Sequence, residues 1–594
     1  MRYHSLVAAL SLGSTALALH DQQFPVSTTG EACVRPLNIA NLNNDGSHSF
    51  ILGLKSEQWR LEEGPIENTT GNLIFDTVHS LLQRWPNTRY RNGHNIVPGV
   101  IPTGTLLYHG TVSHTIPSGP FWAATDPEHS LVFALGYGSG WQLTLAAMRP
   151  LKVLYFDGNS AAKVSEGTMD TQDIIAWGEV QPERYRDDQS RIKDLCRWGQ
   201  EFGIDGFVRM EMDFEVMLCD VTAGVEVVSF LHVRVSWKDR IPYPGVPSTP
   251  SNPALDSDIW NRTFESMHSG SWHNRYPGDS RIVLDLAGLV SLYDIALAPS
   301  LVPVRAGLER WDHRVLGISS EDISQVKRKL AEVISRPDPS SGIDWKTLTH
   351  VIVDRYADRL EFMQHLLNFT SSDSQELLQR AMLMQNQLRV VFAPYILNAT
   401  VVPSADTPGL PPLQWASPMF RLCATTHTTA MINHVPLMTP SERLLLKAIE
   451  DTTREICRVT TKMWAVGVMS GLDVLFPLEL NEEELDVAQI MNDWRQDTQK
   501  LMSWLDWSIW IKCRPACGPE EMCYIPTWPI DGPEPWPPHQ SPRDPAEVKN
   551  LADLVEHPPE GSASADGFFF IRIPTEEWRK PQPKCIRRLL PYES

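Results

Sequence analysis

The sequence predicts an α+β N-terminal domain followed by a mainly α-helical C-terminal domain with a Cys/Pro-rich tail, and three observations carry that prediction. Short β-branched and aromatic runs recur across residues 100–238, apolar residues recur at helical spacing across 259–512, and prolines and cysteines crowd residues 513–594. At 594 residues the chain is too long for one hydrophobic core. Its composition, 42% hydrophobic and 21% charged, is that of a folded protein rather than a disordered one.

Residues 1–18 place Arg2 ahead of an apolar stretch that ends in Ala16-Leu17-Ala18, the pattern of a secretory signal peptide cut near Ala18. Residues 19–99 are loop-rich, with one amphipathic stretch at 76–85 whose Val78, Leu81 and Leu82 share a helical face. Within 100–238, strands are expected at 105–108, 141–146, 152–156, 206–210, 214–219 and 225–233. Helices are expected at 127–135 and at 189–202, the second closed by Gly203. Residues 239–258 form a linker, because five prolines between 241 and 258 leave no room for regular structure.

The 259–512 region then reads as helical. Ser319 and Asp322 form a capping-box pattern ahead of Ile323, Val326, Leu330 and Val333, and residues 374–396 continue in the same texture. Thr439-Pro440-Ser441-Glu442 is a strong helix start, with Thr as N-cap, Pro at the first turn and Glu three residues on. Asn481 and Glu484 are expected to cap another long helix, whose Leu485, Ala488, Met491, Trp494, Leu501 and Leu505 face a core. The tail ends in a strand-like FFFIRI at 568–573.

Charge excludes one class of function. With 72 acidic residues against 52 basic ones and a formal net charge of -20, the chain would repel phosphate backbones, so no nucleic-acid binding through charge is expected. The apolar runs at 282–304 and 463–478 are interrupted by Asp285, Asp294 and Asp473, so no membrane span is expected. A secreted, extracellular location gives meaning to the glycosylation sequons at Asn68, Asn261, Asn368 and Asn398, and to the nine cysteines. Nine is odd, so one thiol stays free or pairs with another chain. Disulfides are expected among Cys513, Cys517, Cys523 and Cys585, which lie in a core-poor region; zinc is the rival reading, weakened by the lack of a CxxC pair.

Metalloprotease HExxH, hydrolase GxSxG, phosphate-loop GxxxxGK[ST] and dinucleotide GxGxxG patterns are absent. What remains is a constellation of short motifs: Leu107-Tyr108-His109-Gly110-Thr111 at a strand end, Phe121-Trp122-Ala123-Ala124 leading to a helix through Ser130 and Phe133, and the strand Phe214-Glu215-Val216-Met217-Leu218-Cys219-Asp220. In that order the three resemble the ADP-ribosyltransferase superfamily, in its His-Tyr-Glu branch, over about 115 of the 594 residues. The turn Gly203-Ile204-Asp205-Gly206 is similar to one common ahead of the family's third motif. Trp122 stands where that branch usually has Tyr.

The resemblance implies a split-sheet fold and NAD as substrate, with no metal. His109, Gly110 and Thr111 would meet the adenosine ribose, Trp122 and Phe133 would sandwich the nicotinamide ring, and Ser130 would hold its carboxamide. Glu215 would be catalytic, stabilising the oxocarbenium-like charge that develops as nicotinamide leaves. The implied function is a secreted transferase of ADP-ribose to a macromolecule, or an NAD glycohydrolase, acting as a toxin or effector on a protein acceptor in a target cell. The alternative is a catalytically silent secreted glycoprotein with a binding or structural role. A secreted glycosidase, with two facing carboxylates, stays open but unsupported.

Overall fold

Strand formation follows the β-branched and aromatic runs, and the hydrogen-bonded ladder they make joins ten strands in one sheet. The computed structural model describes residues 59–66, 68–134, 140–210, 213–233, 278–337, 340–403, 413–476, 486–525 and 579–587. The expected signal peptide, the 239–258 linker, the 568–573 run, Cys33, Asn261, Asn481 and Glu484 lie outside the described residues. All described residues belong to the unit Glu57–Ser594.

The strands are β1 Asn95–Ile101, β2 Leu106–Thr111, β3 Phe121–Ala124, β4 Gly140–Ala147, β5 Leu151–Phe156, β6 Gly206–Met210, β7 Phe214–Leu218, β8 Val225–Val233, β9 Val283–Leu284 and β10 Val290–Ser291. Their order is β10-β1-β5-β6-β7-β3-β2-β4-β8, with β9 also on β1. The pairs are antiparallel except β5 with β6, which are joined by a helical crossover and run parallel. Seven strands lie close to the expected positions, β3 among them at the motif run 121–124. β1, β9 and β10 were not expected, and the last two come from the region read as mainly helical.

One cross-sheet row fixes the faces. Thr144 pairs with Tyr108, Tyr108 with Ala124, Ala124 with Glu215, and Glu215 with Arg209. Paired residues project to the same side of a sheet and sequence neighbours to opposite sides. The side that carries this row also carries Leu154, Phe156, Phe207 and Met217, which pack against Ile174 and Ile175 of α4 (Asp170–Ala176) and Ile192 and Leu195 of α5 (Asp188–Gln200). Val326, Leu330 and Val333 of α7 (Ser320–Ile334) complete that core; α6 is the short helix Leu301–Arg305.

The helical part comprises α8 Trp345–Leu367, α9 Ser374–Phe392, α10 Ser417–Thr425, α11 Pro440–Met469 and α12 Val487–Leu505. The expected start of α11 is realised in full. Thr439 accepts from the Glu442 amide and the Glu442 side chain accepts from the Thr439 amide. At α7 only half of the box forms: Ser319 accepts from the Asp322 amide, while the Asp322 carboxylate turns to Ser300 instead. Asp486 is the N-cap of α12.

Helix α1 (Gly71–Ser80) begins five residues earlier than the amphipathic stretch read from sequence and packs against α8, α11 and α12. A helix from the stretch read as loop-rich thus packs with helices of the 259–512 region. Two short helices flank the first strands, α2 Arg84–Thr88 and α3 Pro127–Leu131. Among the described residues no helix is long and apolar enough to cross a membrane.

Four disulfides hold the described chain: Cys196–Cys219, Cys423–Cys457, Cys513–Cys523 and Cys517–Cys585. The last two use the four tail cysteines that were expected to pair, and tie the two-stranded antiparallel sheet of β11 (Glu521–Tyr524) and β12 (Lys584–Arg587). Their sulfurs approach one another closely enough to suggest a metal cluster, but a disulfide sulfur has no thiolate to offer a cation.

Candidate functional site

The three motif strands lie side by side, in the order β7-β3-β2. Side-chain alternation then separates the residues they carry. Glu215 and Trp122 project to the side that α5 covers, whereas His109, the sequence neighbour of Tyr108, projects to the other side. There the His109 ring meets Phe121 edge-on at 5.1 Å, and its Nδ1 is 2.7 Å from the Trp122 carbonyl oxygen. Burial lowers its pKa and so favours the neutral imidazole, against the opposing effect of that backbone bond. His109 and Glu215 therefore do not face one cleft.

The second motif is closed by packing. A Cβ on Gly110 would overlap the Ser130 carbonyl oxygen, so glycine is what lets α3 lie directly on β2. Gly140 admits the Ala134 carbonyl in the same way. The Ser130 hydroxyl donates to the Pro127 carbonyl at 2.9 Å and accepts from Gln142 Nε2. Trp122 is half-buried against the helix-covered core, Thr111 accepts from the Ser113 amide in the loop after β2, and Phe133 is 36% exposed, its ring 5.7 Å from His129.

Glu215 itself is only 5% exposed and ion-paired with Arg209 Nε. Arg209 reaches on to Asp188 Oδ2 at 2.8 Å, Arg191 pairs with Asp188 Oδ1 at 2.8 Å, and Arg191 also meets Asp173 at 3.1 Å. Burial opposes charge on Asp188, yet Arg209 and Lys163 outweigh it and hold that carboxyl well below the usual range. A carboxylate committed to a guanidinium beneath a helix is a poor partner for a developing oxocarbenium ion.

Of the cavities bordered by described residues, two hold clustered polar and aromatic side chains. One is an open groove of about 440 Å³ lined by Pro102, Thr105, Leu106, Tyr108, Asp126 and Arg281, on the same sheet side as Glu215 but beyond the helices. The other is a chamber of about 20 Å³ bordered by Asp76, Tyr90, Asn92, His94, Tyr293 and Arg310. It lies under the segment Arg89-Tyr90-Arg91-Asn92-Gly93-His94-Asn95, which the sequence reading passed over as loop.

Arg310 pairs with Asp76 at 2.9 Å and lies over the Tyr90 ring at 3.9 Å, and Arg89 pairs with Asp506 at 2.9 Å. Asp157 accepts from the amides of His94 and Asn95, both at 2.7 Å; burial nevertheless pushes its carboxyl up to about 6. His94 is stacked on Tyr293 at 4.4 Å, and burial with Arg305 keeps its ring neutral. The signal that could have found this cluster is the density of Arg, Asn and His in seven residues next to a strand start.

Of the sequons, Asn68, Asn368 and Asn398 are exposed, and Asn68 sits in the left-handed region at φ 66°, a conformation asparagine tolerates.

A family model described as the YPL277C N-terminal domain matches residues 60–139 and 137–246, a span that holds all three motifs, the glycine-backed α3 and the Arg209 network. Over 552 residues the chain is 25% identical to the uncharacterized Saccharomyces cerevisiae protein YOR389W, covering 79% of this chain and 83% of the yeast protein. It is 26% identical over 420 residues to the uncharacterized protein YPL277C of the same yeast, covering 57% of this chain and 81% of that protein. No solved structure matches. The likeness thus runs through both the sheet and the helical part rather than through the motif strands alone.

Proposed function

We propose that the chain is a secreted glycoprotein that keeps an ADP-ribosyltransferase-like arrangement of motif strands but is catalytically silent toward NAD, and that it acts by binding. One observation carries the reading: Glu215 is buried in an ion pair with Arg209, on the sheet side opposite His109. Contact of α3 with Gly110, where the adenosine ribose would have to lie, supports it further. Secretion is supported by the leader-like residues 1–18 and by four disulfides, which persist in oxidising compartments.

A second reading, active transfer of ADP-ribose or NAD hydrolysis, is favoured by the adjacency of β2, β3 and β7. It requires Glu215 to leave Arg209 and α3 to lift from β2. Incubating purified full-length protein with NAD separates the two. The silent reading expects no nicotinamide release above buffer from wild type or Glu215→Gln; release by wild type that is lost in Glu215→Gln establishes the transferase-type chemistry instead.

A further inference from the structure

We infer that the groove at Tyr108 is a binding site for a neutral saccharide. The inference deepens the binding role proposed above and rests on it. Leu106 and Tyr108, two residues apart on β2, project to the same side and form an apolar and aromatic floor. The turn at residues 102–105 makes one wall, with exposed Thr103 and half-buried Thr105; Thr125, Asp126, Ser280 and Arg281 make the other. About 440 Å³ is the size of cavity that takes a small ligand, roughly 300–1,000 Å³.

The electrostatics choose the ligand class. Arg281 is the cation of this groove, and its guanidinium is spent on the protein. Nε bonds Asp279 Oδ1 at 3.0 Å, one terminal nitrogen bonds the Thr125 carbonyl and Asp126 Oδ1, and the other bonds Asp126 Oδ2 at 3.1 Å and Asp279 Oδ2 at 2.8 Å. A phosphate or carboxylate would find the Arg281 fork already engaged and would meet the Asp126 carboxylate at the groove wall. A cationic ligand would have to compete with Arg281 for Asp126, and Asp279, 1% exposed, is out of its reach. A sugar fits both surfaces: its C–H face can lie on Tyr108 and Leu106, and its hydroxyls can exchange hydrogen bonds with Tyr108, Thr103 and Ser280.

The test uses purified full-length protein and three probes, laminarihexaose, maltohexaose and chitohexaose, with binding read by calorimetry and saturation-transfer NMR. At least one is expected to bind with a Kd below about 1 mM. Tyr108→Ala is expected to weaken that binding tenfold or more. Thr103→Arg, at an exposed turn position that can block the groove without removing packing, is expected to do the same. Binding by none of the three, or binding unchanged in both variants, overturns the inference. So does tighter binding of NAD or of a lysine-rich peptide that Thr103→Arg abolishes. Failure here with no nicotinamide release leaves the silent reading intact, whereas Glu215-dependent nicotinamide release removes that reading whatever the sugars do.

Discussion

Tyr108 and Glu215 stand in one cross-sheet row with only Ala124 between them, yet they meet opposite environments. At the Glu215 end, α5 lies over the sheet and supplies Asp188 and Arg191, so each buried charge finds a partner. Past the seat of α3 at Gly110, toward Leu106 and Tyr108, the same sheet side opens into a groove. The difference teaches that what a strand residue can do here is set less by the strand than by what covers it. A fully paired buried network fixes structure; an open end with an unspent aromatic floor is where a ligand can go.

The largest way to break that contrast is Arg209→Met. It leaves Asp188 and Glu215 buried without their shared cation, and should cost about 3–5 kcal/mol, read as a drop in urea midpoint; a loss under about 1 kcal/mol would show that water reaches the closed end.

Removing the nearby bridge comes next. Cys196→Ser with Cys219→Ser frees the C-terminal end of α5 from the end of β7, and should cost about 3 kcal/mol by the chain-entropy account. Thermal unfolding of the double variant without reductant measures it, and an unchanged midpoint would mean that the helix cover is held by packing alone.

Gly110→Ala probes the middle of the sheet, where α3 lies on β2. Overlap with a backbone carbonyl should cost about 1–3 kcal/mol. If the variant instead gained stability, α3 would not be seated on the strand.

Acid sharpens the comparison. Asp188 has a depressed carboxyl in the folded state, so its contribution is present above the ordinary aspartate range and is lost as pH falls below about 4. Arg209→Met should flatten that part of the stability profile, and an equally steep acid limb in both proteins would place the sensitivity elsewhere.

At the open end, Tyr108→Ala should have the smallest effect on stability, about 1 kcal/mol or less for a half-buried surface side chain. A much larger loss would mean that the groove floor is core.

Much of the local structure was legible in the chain. β6 and β8 match the expected runs residue for residue, and Thr439-Pro440-Ser441-Glu442 caps α11 as its chemistry demands, because caps and alternation are decided within a few residues. β9 and β10 escaped notice because two residues are too few to show a period; their pairing with β1 depends on residues about 190 positions away. The Arg89–Asn95 segment read as loop for a related reason, since its partners Tyr293, Arg310 and Asp506 come from far along the chain.

The motif trio shows the same division. Its order and its strand placement are properties of the sequence, and the three strands do lie together; the need for glycine at position 110 comes from α3 seated on β2. Which side each residue faces could have been counted from alternation only once the register across three strands was known. Whether Glu215 is a free carboxylate or half of an ion pair depended on Arg209 across the ladder and Asp188 on the covering helix. By itself the sequence determined strand, cap and cysteine chemistry, because these act over short distances. Tertiary structure alone decided which end of the sheet is sealed and which is open, because burial and charge pairing are set by neighbours that the chain brings together only on folding.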